Sequence, residues 1–441
     1  MAIGVGMLGL GTVGTGVAGI LASPVGRHPL VAELVLRRVA VRDPARPRAV
    51  DLDPSLLCSD PQSVVDDPAV EIVVEVMGGL EPARSLILRA IAAGKPVVTA
   101  NKAVIARHGE EIAAAAAQGG VYVLIEAAVG GGIPIIEPLK QSLGGNRIQR
   151  VSGIINGTTN YILSRMADEG AAYGDVLADA QRLGYAEADP AADVEGHDAA
   201  DKIAILASLA FGGPVQRSAI ATEGIDRLDA RDVAYAAKLG YGVKLLAVAE
   251  CMEGQVGSEA VPAGALPLDV RVHPTLLPRH HPLAGVHGVN NAILVEGDPV
   301  GQVMFFGPGA GAGPTASAVV ADILNIAGIR QVGGGEAAGL DPLLSAGSWR
   351  HCALVDSHLS RHRNYVRLAT RDEAGVIGKV GTAFGAAGVS IQSIVQYEAN
   401  SGSAEIVVIT HEVLEADFRR ALAAITALAE VEAVAACLRT L

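Results

Sequence analysis

Six residues near the start of the chain, Gly9-Leu10-Gly11-Thr12-Val13-Gly14, constrain the fold more than any other feature. They follow an apolar run, Ile3–Leu8, that reads as a buried strand, and they open a helical pattern over Val13–Leu21. A Gly-x-Gly-x-x-Gly turn between a strand and a helix is the fingerprint of a dinucleotide site. Gly9 permits the tight turn, Gly11 lets a pyrophosphate approach the backbone, and Gly14 lets the helix lie close to the sheet. The start of the helix then offers N–H groups and a positive dipole end to the phosphates. With 53 glycines in the chain a chance match is a real alternative, and the strand–turn–helix context is what argues against it.

The next hundred residues fit that opening. Strand-like runs Leu34–Val41, Ile72–Val76, Pro96–Thr99 and Val121–Glu126 alternate with helical patterns Pro82–Ala93 and Glu110–Gln118. This is the pattern of a Rossmann-type, doubly wound, mostly parallel α/β sheet over residues 1–130. Residues 131–304 mix helices (Asp175–Leu183, Asp198–Phe211, Asp232–Leu239) with strands (Val243–Ala249, Ala292–Glu296), an α+β domain expected to bind substrate and to dimerise. A Gly-rich turn over 308–315 adds Gly309 and Gly311 to the candidate cofactor contacts. The helix after it, Ala316–Ala327, is expected to return about 305–330 to the nucleotide-binding domain. Residues 331–362 read as a turn-rich linker, and 363–441 as a complete βαββαβ unit. Because the nucleotide-binding pattern begins at Ile3, no further domain is expected ahead of it.

Composition excludes several classes. Half the residues are hydrophobic but only 3% are aromatic, so Ala, Val, Ile and Leu must fill the cores. A formal charge of −13 argues against a nucleic-acid partner and against an anionic membrane surface. The uncharged stretch 2–26 is glycine-rich and lacks a basic flank, so it is not a signal segment. The uncharged stretch 299–321 is interrupted at Gly307-Pro308-Gly309 and Gly313-Pro314, which should leave no piece long enough to span a bilayer. Four cysteines without metal or redox spacing fit a reducing cytoplasm, and no histidine pair has zinc spacing.

Cofactor choice turns on the end of the second strand. Arg42 stands there, with Arg46 and Arg48 close behind, and an arginine at this edge suits a 2′-phosphate. NADP(H) is therefore expected ahead of NAD(H). Asp43 could instead serve a ribose hydroxyl, and the arginines could form a solvated turn.

Six carboxylates, Glu187, Asp189, Asp193, Glu195, Asp198 and Asp201, crowd into fifteen residues ahead of an apolar helix. A calcium loop is excluded, because the Asp-x-Asp-x-Asp-Gly order is missing. Asp198 and Lys202 stand four apart and so share a helix face. Taken alone, that pair is more readily a surface salt bridge than a functional couple.

Ala180-x-x-x-Gly184-Tyr185-Ala186-x-x-Asp189-Pro190-x-x-Asp193-Val194-x-Gly196-x-Asp198-x-x-x-Lys202 resembles the signature of the homoserine dehydrogenases, with no position broken. Gly9–Gly14, Ala100-Asn101-Lys102, the segment Ile154–Tyr161 and the C-terminal unit extend the resemblance over nearly the whole chain. It implies interconversion of L-aspartate 4-semialdehyde and L-homoserine on the route to threonine, methionine and isoleucine. It further implies Lys202 as the proton donor, Lys102 as a second ammonium that also meets the cofactor, and Asp198 as the group orienting both Lys202 and the substrate hydroxyl. By the same resemblance Glu187 holds the substrate's α-amino group, Asp193 belongs to that polar shell, and Asn156, Gly157 and Thr158 contact substrate. Two neighbouring ammonium groups would lower each other's proton affinity.

Glu126-Ala127-Ala128-Val129-Gly130-Gly131-Gly132-Ile133 resembles the family's segment for a monovalent cation, usually sodium. The matching positions make Glu126, Val129, Gly131 and Ile133 the ligands, although three glycines in a row also suit a plain tight turn. Glu75, at another strand end, either lines the cofactor cleft or braces a turn. Ala369–Val380 resembles the opening of an ACT domain, implying an amino-acid effector, L-threonine, near Asp372–Val376, and pairing of subunits as a homodimer or homotetramer. Two other readings compete. One is a semialdehyde dehydrogenase working through a cysteine thioester, for which no cysteine stands beside a histidine motif. The other is a non-catalytic nucleotide and amino-acid sensor, which would not need Glu187, Asp198 and Lys202 together.

Overall fold

The computed structural model describes residues 2–441 apart from 258, 333–339, 342, 346, 401–402 and the side chains of 398–400. Two compact units divide the chain, and each is built from three separate segments. Met1–Val151, Asp201–Ser218 and Asn291–Cys352 make the first, and Ser152–Ala200, Ala219–Asn290 and Ala353–Leu441 make the second.

At the centre of the first unit lies a six-stranded sheet. Its strands are β1 (Ile3–Leu8), β2 (Leu34–Ala40), β3 (Leu57–Cys58), β4 (Ile72–Glu75), β5 (Val97–Thr99) and β6 (Val123–Leu124). They run parallel in the order β3-β2-β1-β4-β5-β6. Alternate residues face opposite ways, and both faces are covered. Ile3, Val5, Met7, Ile72, Val74 and Val98 pack with helices Thr12–Ala22 and Ala312–Val332. Leu8, Val73 and Val97 pack on the other side with Ala83–Ala92 and Lys102–Gly119. Burial on both faces is why the central strands β1, β4 and β5 read as apolar runs. Each fully buried aliphatic side chain contributes roughly 1.5–3 kcal/mol. The order reverses between β1 and β4, the position where ligands bind in such sheets.

The helix Ala312–Val332 departs from expectation. Gly313-Pro314 does not break it but lies in its first turn, where proline's missing N–H has no intrahelical partner to lose. With 21 residues the helix is long and apolar enough to cross a membrane. Ala316, Val319, Ile323, Ile326 and Ala327 are nonetheless buried in the core beneath β1, so it serves as a core helix here.

Of the expected linker 331–362, residues 333–339, 342 and 346 lie outside the described residues. Much of the remainder is tied down. Leu344 joins the first core, Asp341 N donates to the Tyr122 hydroxyl at 2.8 Å, and Trp349 N and Arg350 N both donate to Gly212 O at 2.9 Å.

In the second unit, the strands run Tyr241–Cys251, Leu266–Pro278, Val431–Thr440, Arg361–Arg371, Ser403–Thr410, Ile391–Asn400 across one sheet. The C-terminal βαββαβ pattern appears as read. Val366, Leu368, Ile406 and Val408 face helices Val376–Ala386 and Glu415–Thr426 through Val380, Phe384, Phe418 and Ile425. The opposite face of the same strands turns Tyr365, Arg367 and Glu405 towards helix Ala230–Lys238. There the Arg367 guanidinium meets both Asp232 oxygens at 2.7 and 3.0 Å and Glu405 at 2.6 Å.

Candidate active site

In the first unit, the nucleotide loop is shaped by what glycine leaves out. Gly9 has φ +104°, and a Cβ there would come within 2.8 Å of Val76 O. A Cβ on Gly14 would stand 2.5 Å from Gly9 O, so this glycine is what lets the helix approach the strand. At Gly11 a Cβ would meet no protein atom within 4 Å, which leaves bare backbone facing open space as a pyrophosphate requires. No side chain caps the helix Thr12–Ala22, so the N–H groups beyond Leu10, at Thr12 and Val13, suit an anion. At the tip of β2, Asp43 Oδ1 accepts from Ala45 N at 2.9 Å, and Arg48 folds back onto the carbonyls of Asp43, Pro44 and Arg46. Arg42 stands exposed beside them.

Glu75 is fully buried, with its oxygens held by Met77 N at 2.8 Å and the Thr99 hydroxyl at 2.7 Å. It braces the turn between β4 and β5. Asn101 then caps the helix Lys102–Gly119 by accepting from Val104 N at 3.3 Å, and donates to Gly79 O at 2.8 Å. The helix therefore starts eight residues before the expected Glu110, and Lys102 is its first residue, three positions beyond the carboxyl end of β5.

Loop 126–133 packs backbone to backbone against 308–311. Gly132 N donates to Pro308 O at 3.1 Å, and a Cβ on Gly131 would lie 2.3 Å from Gly309 O. Gly309 itself abuts the Asn291 amide, while Gly311 O accepts from Thr315 N at 3.1 Å as the long helix begins. The Glu126 carboxylate accepts three N–H bonds, from Ile135 (2.6 Å), Ile136 (2.9 Å) and Glu137 (2.8 Å). Burial pushes this carboxyl up in proton affinity against those bonds. Glu126 N in turn donates to Asp322, a wholly buried acid that burial raises well above the carboxylate range. The Glu126 side chain is thus committed to the start of helix Ile136–Lys140. Among the described residues no cluster of three His, Cys, Asp or Glu could hold a metal. A cation in this loop would have to take backbone carbonyl oxygens, such as those of Val129, Gly131 and Ile133, which suit a hard ion of low charge.

The polar centre of the second unit is Asn156. Its Nδ2 donates to Asp193 Oδ1 at 2.7 Å and to Asp198 Oδ2 at 3.0 Å. Its Oδ1 accepts from Thr159 N at 2.8 Å, capping the helix Gly157–Glu169. Gly157 is required because a Cβ would meet Val289 O at 2.7 Å. Thr158, expected to touch substrate, donates its hydroxyl to Tyr185 O at 2.7 Å. The structure therefore brings Asn156, Asp193 and Asp198 together, while Glu187 stands exposed in the turn after Tyr185. Asp198 is in the first turn of the continuous helix His197–Phe211, and Lys202 follows one turn later. Sequence reading missed the partners of Asp201: Arg107 at 3.0 Å and Arg217 at 2.7 Å. Arg107 is 94 residues away, so no local pattern announces it.

Comparison with known proteins fits this arrangement. The family description "Homoserine dehydrogenase" matches residues 134–324, and that of the same family's NAD-binding domain matches 9–126. The chain is 57% identical to a homoserine dehydrogenase of Synechocystis over 441 residues, 100% of both chains. The chain belongs to the homoserine dehydrogenase family. It is also 42% identical to the Corynebacterium glutamicum homoserine dehydrogenase, covering 99% of this chain and 95% of that one. The crystal structure of a homoserine dehydrogenase from Thiobacillus denitrificans superposes with a TM-score of 0.87 at 42% identity, covering 100% and 98%. A hyperthermophilic archaeal homoserine dehydrogenase in complex with NADPH covers 74% of this chain and 97% of its own, with a TM-score of 0.59 at 28% identity. Residues 365–430 match the ACT domain. The enzyme is thus an oxidoreductase with a nucleotide-binding Rossmann domain and a C-terminal ACT domain.

Proposed function

We propose that this homoserine dehydrogenase interconverts L-aspartate 4-semialdehyde and L-homoserine with Lys202 as general acid and base. The observation that carries the assignment is the triad of Asn156, Asp193 and Asp198, with Lys202 one helical turn beyond Asp198. A nicotinamide cofactor held by the Gly9–Gly14 turn would supply hydride to the aldehyde carbon or take it from the carbinol carbon. As the carbonyl oxygen gains charge, the Lys202 ammonium delivers the proton that makes it a hydroxyl. Asp198, held by Asn156, orients Lys202 and that hydroxyl; Lys102 adds a second positive charge, and Glu187 takes the substrate's α-amino group. Asn156 and Thr158 act chiefly by fixing this shell, since their side chains are engaged with protein partners. The test is homoserine-dependent reduction of NADP⁺ and NAD⁺ by wild type and Lys202→Ala. Lys202→Ala should lose about 10²–10⁴ in kcat while still binding cofactor; near-wild-type turnover would reject the assignment.

NADP(H) is the preferred cofactor in this reading. Asp43 is engaged with its own turn, Arg42 stands at the edge of β2, and the archaeal relative is in complex with NADPH. Gly309 and Gly311 serve the cofactor indirectly, by shaping the start of the long helix. A sodium ion is held by carbonyl oxygens of 126–133, tested by activity in sodium against tetramethylammonium buffers. The ACT domain binds L-threonine near Asp372–Val376 and inhibits the enzyme, in keeping with a place in threonine, methionine and isoleucine synthesis in the cytoplasm. The enzyme works as a homodimer or homotetramer, to be read by light scattering. The thioester alternative has no support from Cys437, whose thiol burial pushes up to about 12, the wrong direction for a nucleophile.

A further inference from the structure

We propose that Asp201 is a positioning residue for the reaction, fixing the segment that carries Lys202 against the one that carries Lys102. The proposal rests on the roles given to those two lysines above. One carboxylate oxygen of Asp201 accepts from Arg217 Nε at 2.7 Å, and the other accepts from Arg107 Nη1 at 3.0 Å. The same Arg107 nitrogen also donates to Ala103 O at 3.2 Å, in the helical turn that begins with Lys102. A single guanidinium therefore ties the residue after Lys102 to the residue before Lys202. Asp201 is 8% exposed at its side chain and Arg217 15%, so the Arg217 bond lies largely out of solvent, while Arg107 reaches the buried carboxylate from a more open position.

Asp201 is not itself a reacting group on this reading. Successive residues on a helix point about 100° apart, so Asp201 and Lys202 face different directions. What Asp201 contributes is register. Each of its oxygens has a different arginine from a different segment, and neither segment can slide without breaking a charge-assisted bond. A displacement of about 1 Å can cost roughly 10²-fold in rate. An exposed ion pair of the same composition would do far less.

The experiment compares Asp201→Asn, Arg107→Gln and their double variant in homoserine oxidation, using homoserine deuterated at the carbinol carbon. The expected result is a kcat about 10–100-fold lower in each single variant, with the KM for NADP⁺ within about twofold. The deuterium effect on kcat should be larger than in wild type, because hydride transfer now limits turnover. The double variant should be no worse than the poorer single one, since both break one device. Wild-type kcat and isotope effect in both single variants would overturn the proposal, whatever happens to the melting temperature. Losses that simply add in the double variant would also overturn it. If Asp201→Asn fails to fold, Arg107→Gln carries the test, because Arg107 is 39% exposed. Lys202→Ala run alongside separates the two ideas. An inactive Lys202→Ala beside a normal Asp201→Asn removes only this proposal, whereas an active Lys202→Ala removes the reading beneath it.

Discussion

Replacing Arg367 with methionine should be among the most damaging single changes in the second unit that touches no substrate group. Arg367 is 2% exposed, and its guanidinium satisfies Asp232 through two bonds and Glu405 through one. Both acids are buried as well, and Tyr365 and Tyr235 donate to Asp232 at 2.9 Å and to Glu405 at 2.6 Å. Methionine keeps most of the apolar stem, so lost packing is minor. What remains is Asp232 without its cation, while Glu405 keeps Arg231 at 2.9 Å. Breaking one partner of such a network costs about 3–5 kcal/mol. With a urea dependence of about 2–3 kcal/mol per molar, the midpoint should fall by roughly 1–2.5 M. Unfolding should be followed by circular dichroism and separately by emission of Trp349, which belongs to the first unit, because a chain of two units need not melt in one step. Neutralising the acids as well, with Asp232→Asn and Glu405→Gln, should restore more than half the loss. A fall smaller than about 0.5 M against the slope just used, or a triple variant no better than the single one, would refute the reasoning.

Arg42→Ala should raise KM for NADP⁺ much more than for NAD⁺; equal shifts would make Arg42 a solvated turn residue. Lys244 lies buried beside Asn160 Oδ1 and Val286 O, and burial pulls it from 10.5 to about 8. Its protonated form is the one disfavoured in the fold, so the unfolded chain holds the proton more tightly and stability should rise between pH 8 and 10.5. The gain is about 3 kcal/mol at most, and it should be absent from the urea midpoints of Lys244→Met; parallel slopes in the two proteins would count against it. Gly375 has φ +90°, and no atom lies within 4 Å of where a Cβ would stand, so Gly375→Ala should cost about 1–2 kcal/mol from backbone strain alone. Threonine inhibition should weaken in that variant at unchanged basal rate, and an unaltered inhibition curve would place the effector elsewhere.

Much of the fold is legible in the sequence because periodicity survives where one kind of burial dominates. The central strands of the parallel sheet, buried on both faces, and the C-terminal βαββαβ unit both announce themselves. The strand Leu266–Pro278 does not, since Pro267, Pro274 and Pro278 imitate loop chemistry although the strand pairs along Tyr241–Cys251. Helix Ala312–Val332 reads too short for the same reason, because Pro314 looks like a break when it is a start. At the site, residue types and spacing single out Asp198 and Lys202, but not what holds their segment in place. Asn156 reaching Asp193 and Asp198, and Arg107 reaching Asp201, join positions 37 to 94 residues apart. Such pairs carry no periodic signal, and only the folded chain brings them together.

The interleaving of the two units has a consequence for how this protein can be cut or inherited. The chain passes from one unit to the other five times. A nick at any of the three inner crossings leaves both units divided between the fragments, and a nick at the first still divides the first unit. The separated pieces must then find each other non-covalently, as in a split reporter. The last crossing, at Cys352–Ala353, is different, because it releases Ala353–Leu441 with a hydrophobic core of its own, from Val366 to Val431. Gene fusion and fission act on linear sequence, so that block is the one portion that can be gained, lost or exchanged as a module.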